Sequence, residues 1–338
     1  MIKKITLFLL FVTALAAGGY IYTAKQVDQY INQPLQLDTP QIFTISSGTS
    51  FNRVLQNLTE SEMISSSDFA KLVRRFHPEL TQLRAGTYLL ESGITLKNAL
   101  EQFKQGKEHQ FAITFVEGST FNEWRDILQN TPYLEHKLSG LSEAEIAQKL
   151  GIQNKKLEGL FLAETYHYTF GASDFDILQR AADKLQLVLD EHWATRQDKL
   201  PLNSAYEALI LASIIEKETA VESERERVAA VFVNRLNKRM RLQTDPTVIY
   251  GMGDKYDGNI RKKDLRTPTP YNTYTIFGLP PTPIAMPGEA SIKAALNPED
   301  SNYLYFVASG SGGHVFSKTL AEHNRAVRAY LKQLRSNQ

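Results

Sequence analysis

The chain has 338 residues, a formal net charge of +1 and no cysteine. Its length allows two or three domains, and the missing cysteines exclude disulfides, thiolate metal sites and cysteine nucleophiles. Lysines and arginines are spread along the chain rather than gathered on one basic face, which argues against a nucleic-acid partner.

Lys3 and Lys4 precede an uncharged, mostly apolar run from Ile5 to Ala24. About 20 such residues suffice to cross a bilayer as a helix. Two readings fit: a retained anchor, or a signal peptide cleaved near Ala14-Leu15-Ala16. The run exceeds a usual signal core of about 7–15 residues, which favours the anchor. Tyr20 and Tyr22 sit where an interfacial aromatic belt would lie, and the two lysines place the short N-terminal side in the cytoplasm. Either reading exports the body of the protein. The polar segment 25–39 then reads as a linker.

Next, one pattern recurs in "FTISSGTSF", "YLLESGITL" and "ITFVEGSTF". In each, a short β-type run leads to a glycine (Gly48, Gly93, Gly118), then a hydroxyl residue (Ser50, Thr95, Thr120), then an amphipathic run. This predicts a strand, a tight glycine turn and an N-capped helix. Thr120 with Glu123 has the spacing of a capping box. The first copy continues through Leu55 and Leu58 into a second helical run near Phe69, Leu72 and Val73, and then the strand "AGTYLL". The order strand–helix–helix–strand is that of the small LysM glycan-binding module; a generic β–turn–α unit fits as well.

Helical runs alternate with the aromatic stretch "LEGLFLAETYHY" up to residue 197, and a long helical region is expected over Tyr206–Leu236. Arg241 to Pro287 is rich in Thr, Pro, Gly, Tyr and Asn, which predicts loops and short strands. "YLYFVAS" reads as a strand, and Thr319 with Glu322 as a capping box for the last helix.

"SIIEKETAVESERER", Ser213–Arg227, carries five glutamates. On a helical wheel of about 100° per residue, Leu211, Ile214 and Ile215 fall within roughly 60° of Glu218, as do Val221 and Phe232 if the helix continues. Glu216 falls about 160° away. A carboxyl on an apolar stripe is desolvated, which raises its pKa and suits it as general acid at a glycosidic bond. The alternative is a buried structural Glu paired with Arg225 or Arg235. Downstream, "RLQTDPTVIYG" and "TPYNTYTIFGLPPTPIAMPG" are dense in tyrosines, amides, hydroxyls and prolines. Such loops offer rigid stacking faces and hydrogen bonds to sugars, or else simply cover the core. Gln243, Asp245, Tyr271, Asn272 and Tyr274 are the candidate substrate-binding residues. No nucleophile elbow, metal-ligand spacing or phosphate-binding loop is present, so no metal or organic cofactor is expected. "SGSGG" at Ser309–Gly313 reads as a flexible turn. His314 follows two glycines, where it reaches either a ligand or solvent.

At "ASIIEKETAVESER", "RLQTDPTVIYGMG", "TPYNTYTIFGLPPTPIAMPG" and "YLYFVASGSGGHVFSKTLAEHN" the sequence resembles the endolytic murein transglycosylase family, also called YceG-like. The resemblance covers nearly the whole chain. It implies that the second Glu of E-K-E-T, here Glu218, is catalytic. It also implies a lyase acting on peptidoglycan strands, a single-pass inner-membrane protein with its catalytic domain in the periplasm, and work beside the synthases (penicillin-binding proteins) that polymerise new glycan. The expected architecture is α+β: a transmembrane helix (1–24), the linker (25–39), a LysM-like βααβ subdomain (40–109) and an α+β catalytic domain with a long Glu-bearing helix (110–338). The rival functions are a muramidase-type hydrolase using Glu218 and Asp245, and a non-catalytic peptidoglycan-binding scaffold.

Overall fold

The computed structural model describes residues 2–154 and 156–336. It is a mixed helix–strand chain in two compact units. The first comprises the chain up to Phe111 together with Tyr168–Phe170; the second comprises Ala112–His167 and the rest of the chain from Gly171.

Helix α1 runs Ile2–Ile31, and its apolar part is long and hydrophobic enough to cross a membrane. Here the structure departs from the expected linker. Residues 25–31 continue the helix without a break, and Val27, Tyr30 and Ile31 are buried. Tyr30 donates to the Ser66 carbonyl at 2.7 Å and stacks on Phe69 at 4.8 Å. Beyond the helix, Leu35 N–H bonds Ile94 O, and Leu96 N–H bonds Gln33 O. The apolar members of a mostly polar sequence are spaced to face one side, so the segment docks into the core instead of spanning solvent.

The rest of the first unit has the expected order: β1 (Gln41–Ile45), α2 (Phe51–Glu60), α3 (Ala70–Phe76) and β2 (Gly86–Leu90). β1 and β2 pair antiparallel, with Phe43 opposite Tyr88. Helix α4 (Leu96–Gln105) follows. Val54, Leu55, Leu58, Tyr88, Leu90, Leu100 and Phe103 form the core on which the end of α1 sits.

Next along the chain come β3 (Phe111–Thr114), α5 (Phe121–Asn130) and α6 (Glu143–Lys149), and then β4 (Thr165–Tyr168), which pairs with β3; all but the end residues Phe111 and Tyr168 belong to the second unit. All three recurrences adopt one geometry. Gly48, Gly93 and Gly118 have φ of +80°, +80° and +76°, the left-handed region that glycine enters without steric cost. Ser50, Thr95 and Thr120 then accept the N–H three residues on, capping α2, α4 and α5. Thr120 and Glu123 complete a capping box.

Then come α7 (Asp174–Ala194), α8 (Ala205–Glu218), α9 (Arg225–Asn237), α10 (Asp245–Met252), α11 (Glu289–Leu296), the antiparallel pair β5 (Tyr305–Ala308) and β6 (His314–Ser317), and α12 (Leu320–Ser336). Thr319 and Glu322 cap α12 reciprocally. Helix α8 is the centre of the second core. Every residue from Ala208 to Ile215 is buried, so it is apolar on all sides rather than striped. Two expectations are corrected. The region Tyr206–Leu236 is two helices, because the chain turns extended at Thr219 (φ −144°, ψ 130°). "DPTVIYGM" is a helix, α10, where loops were expected: Pro246 in its first turn suits a helix start as well as a turn.

Candidate active site

Glu218 is the last residue of α8. Three contacts fix that end of the helix. Ser213 Oγ accepts Ile284 N–H at 3.0 Å, Glu216 accepts Gly288 N–H at 2.9 Å, and Lys217 Nζ donates to Gly118 O at 2.9 Å. The third glycine turn and the 284–288 segment are themselves joined, through Gly118 N–H to Met286 O and Met286 N–H to Ser119 O, both 2.8 Å. The Glu218-bearing helix is thus clamped at its C-terminal turn by two loops.

The wheel separated Glu216 from Glu218 correctly in direction but not in burial. Glu216 is also largely buried: its side chain is 7 % exposed and lies 4.0 Å from Arg225. The Glu117 carboxyl packs over Gly288, so near that a Cβ there would fall 1.9 Å from it. Burial and the neighbouring Glu216 raise the Glu117 pKa. Glu216 is a structural anchor, and the Arg225 pairing foreseen for a buried Glu belongs to it.

Glu218 faces a cleft of about 390 Å³ lined by Arg235, Gln243, Asp245, Tyr274, Tyr305 and His323, with Phe232, Leu242, Phe306 and Leu320 as apolar wall. Its carboxyl accepts the Thr244 hydroxyl. Burial raises its pKa; Thr244 opposes this, Asp245 adds to it, and the charges of His314 and Arg235 oppose it. The helix terminus acts in the same direction as burial, since the negative end of a helix dipole disfavours an anion. The net result is a carboxylic acid that holds its proton above the usual carboxylate range and has an open side.

Thr244 is the residue preceding α10, yet its side chain does not cap that helix; the hydroxyl serves Glu218 instead. Thr244 N–H bonds Thr273 Oγ1 at 3.0 Å, and Thr273 Oγ1 lies 2.9 Å from Thr247 Oγ1, all three threonines being buried. Gln243, just before, has φ of +52°, a strained conformation for a residue with a Cβ. Its N–H reaches Thr273 O at 3.2 Å. Asp245 accepts the Tyr274 hydroxyl at 2.7 Å, and burial first, then Asp245, pushes the Tyr274 pKa up. Arg235 is 8 % exposed and donates to the carbonyls of Leu304 and Leu242 at 2.6 and 2.8 Å, with Tyr305 beneath it at 5.1 Å.

Of the candidate substrate-binding residues, Gln243, Asp245 and Tyr274 therefore line the Glu218 cleft. Tyr271 and Asn272 do not. Asn272 is fully buried and gives its amide to the carbonyls of Asp264, Leu265 and Thr267. Tyr271 bonds Thr282 at 2.9 Å and packs edge-on to Tyr250. Both hold the loop together, Asn272 by satisfying carbonyls that no solvent reaches and the half-buried Tyr271 through Thr282. Arg235, Tyr305 and His323 were not foreseen as cleft residues, nor Thr244 as the partner of Glu218. Only Thr244 had a local signal, its place between Gln243 and Asp245.

The model of the YceG-like family matches residues 43–329. An endolytic murein transglycosylase of Bacillus subtilis (strain 168) is 31% identical over 333 residues, 93% of this chain and 90% of the relative. One of Streptococcus pneumoniae serotype 2 is 25% identical, over 95% of this chain and 64% of its own length. A crystal structure of a YceG-like protein from Listeria monocytogenes superposes with a TM-score of 0.51 at 29% identity, covering 85% of this chain and 98% of the other. The match spans both the glycine-turn recurrences and the Glu218 cleft, and the chain belongs to the YceG-like family.

Proposed function

We propose that the protein is an endolytic peptidoglycan transglycosylase, a lyase that cleaves the β-1,4 bond between N-acetylmuramic acid and N-acetylglucosamine without water. The observation that carries this is Glu218: one half-buried acid with a raised pKa, open to a cleft and bonded to a hydroxyl rather than to a cation. Glu218 gives its proton to the leaving oxygen as the C1–O bond breaks. The C6 hydroxyl of the muramic sugar bonds C1, and its proton passes to the Glu218 carboxylate. One carboxyl serves as acid and then as base. Thr244 steadies the anion between the two steps. Asp245, which a hydrolase would use to activate water or as nucleophile, is engaged by Tyr274. Gln243, Asp245 and Tyr274 are proposed to contact the sugars, and the LysM-like first unit to bind glycan.

The apolar part of α1 is proposed to span the bacterial inner membrane, with the rest of the first unit and the whole of the second in the periplasm. The buried Val27 follows Ala24 by three helical residues, about 5 Å of rise. The first unit is therefore tied to the bilayer by a continuous helix, where a coil had been expected. New glycan strands emerge at that surface, which favours internal cutting of nascent strands beside the synthases that make them. Product analysis tests the reading. Anhydro ends support it, reducing ends indicate a muramidase, and intact glycan indicates a binding scaffold. A time course in which disaccharides are released steadily from one end would contradict internal cutting.

A further inference from the structure

Glu158 is a buried acid that the reaction does not use. A carboxyl in such a place costs stability unless donors meet it, and here two do. Phe121 N–H, at the first residue of α5, reaches Oε1 at 3.0 Å, and the Tyr250 hydroxyl on α10 reaches Oε2 at 3.2 Å. A carboxyl can accept both at once through its two oxygens. The charges that bear on it are the acids Glu143 and Glu123 and the nearby Lys156, which pairs with Glu143 at 3.0 Å.

Each bond leads to one side of Glu218. Phe121 follows the Gly118 turn, whose carbonyl accepts Lys217 Nζ at 2.9 Å, one residue before Glu218. Tyr250 lies in the last turn of α10. At the start of that helix Thr247 Oγ1 donates to Thr244 O at 2.8 Å, and the Thr244 hydroxyl meets Glu218. Helix α10 also packs on α8. Glu158 therefore closes a ring of contacts that runs from the end of α8 through the glycine turn, Glu158, α10 and Thr244 back to α8. The backbone beside the carboxyl is fixed from a third direction. Gly159 N–H lies 3.2 Å from Met286 Sδ, and a Cβ on Gly159 would fall 2.3 Å from Pro283. Only glycine lets the chain press so closely on the 283–288 segment, which already anchors Ser213 and Glu216.

We propose that Glu158 and Tyr250 are positioning residues for Glu218: their bridge fixes α10 against the glycine turn and so sets how closely the Thr244 hydroxyl meets the proposed acid. This rests on the transglycosylase reading above. Neither residue lines the Glu218 cleft, and neither exchanges a proton in the reaction. A helical segment transmits a shift along its axis as a rigid body, and Tyr250 stands about 8 Å of rise from the first residue of α10. Thr273 Oγ1 holds the Thr244 N–H independently at 3.0 Å. The bridge therefore tightens the contact between Thr244 and Glu218 rather than creating it, and its loss is bounded by the loss of the hydroxyl itself.

The test uses the full chain in detergent acting on isolated glycan strands, with anhydro ends counted across the acid-to-alkaline range and melting followed alongside. Tyr250→Phe deletes one hydroxyl and keeps the ring that packs on Tyr271. It is expected to lose about three- to tenfold in kcat, the scale of one net hydrogen bond. The alkaline limb of its kcat profile should move to higher pH, because a slacker Thr244 contact restrains the Glu218 pKa less. In a Thr244→Val background the same change should cost nothing further, since the hydroxyl it positions is gone. Wild-type kcat with an unmoved limb in Tyr250→Phe overturns the proposal even where melting falls, because the bridge is then structural only. Losses that multiply in the double variant overturn it as well. Should Tyr250→Phe not fold, Glu158→Asp, one methylene too short to reach both donors, decides by the same limb and the same double variant. Absence of anhydro ends from the wild-type protein defeats the transglycosylase reading itself. Equal anhydro-end production by wild type and Tyr250→Phe at every pH defeats only the positioning role.

Discussion

Arg225 lies 4.0 Å from the Glu216 carboxyl, and Glu218, two residues along the same helix, has no ion-pair partner among the described residues. The Glu218 carboxyl meets the Thr244 hydroxyl instead. Two glutamates two residues apart thus have opposite tasks: one is neutralised and holds a loop, the other keeps a proton and faces a cleft.

Glu218→Gln is expected to fold as the wild type and to lose about 10²–10⁴-fold in kcat, the usual contribution of a positioned acid–base group. Gln keeps the size and the Thr244 contact but has no acidic proton. Anhydro-end release together with thermal melting checks both halves of this. A variant active at the wild-type rate would remove Glu218 from the mechanism.

Glu216→Gln is expected to act on stability rather than chemistry. The change keeps an acceptor for Gly288 N–H but leaves the Arg225 charge unmatched, and Arg225 Nε already lacks a partner. A loss of about 1–3 kcal/mol in denaturant unfolding is expected, with kcat near wild type. An inactive but fully stable Glu216→Gln would reverse the assignments of the two glutamates.

Thr244→Val removes the hydroxyl that favours the Glu218 anion. Glu218 should then hold its proton to higher pH. Protonated acid is the active form, so activity falls as pH rises through the Glu218 pKa, and that limb should move upward. A fall in kcat of roughly 10-fold, the lower end for a hydrogen bond to a charged group, is expected. An unmoved limb would mean that Thr244 does not bear on the acid.

Glu158 links stability to pH. It is 5 % exposed, accepts Phe121 N–H at 3.0 Å and the Tyr250 hydroxyl at 3.2 Å, and burial pushes its pKa up to about 7. Because the folded pKa exceeds the unfolded one, its contribution is fully present below about pH 4.5 and is lost as pH rises toward 7. The loss amounts to roughly 3 kcal/mol at about 1.4 kcal/mol per unit. Melting temperature should fall across that window in the wild type and fall less in Glu158→Gln. Parallel curves for the two proteins would remove Glu158 as the cause.

Truncation separates anchor from core. Removing residues 1–24 should leave a folded, active enzyme, since Glu218 and its loops are untouched. Removing residues 1–32 also deletes Val27, Tyr30 and Ile31 from the first core. Each buried side chain of this size contributes about 1.5–3 kcal/mol, so the first unit should melt markedly earlier. Equal melting of the two truncations would show that the end of α1 is dispensable.

The sequence alone determined whatever depends on short-range chemistry. Glycine followed two residues later by a hydroxyl specifies a left-handed turn and a capped helix locally, so Gly48, Gly93 and Gly118 announced their elements. The apolar run of α1 was legible from hydropathy and length, and Glu218 from its motif and its direction on a helix. Other features required the tertiary structure, because they pair residues far apart in the chain. Segment 25–31 looked polar by composition, and only the core of the first unit shows that Val27, Tyr30 and Ile31 have a face to fill. Asn272 and Tyr274 belong to one motif, yet the fold buries the first against loop carbonyls and turns the second to Asp245. Arg235, Tyr305 and His323 come from α9, β5 and α12. No local pattern brings them to Glu218; that depends on how the helices and the hairpin pack, and packing is decided by the whole apolar surface at once.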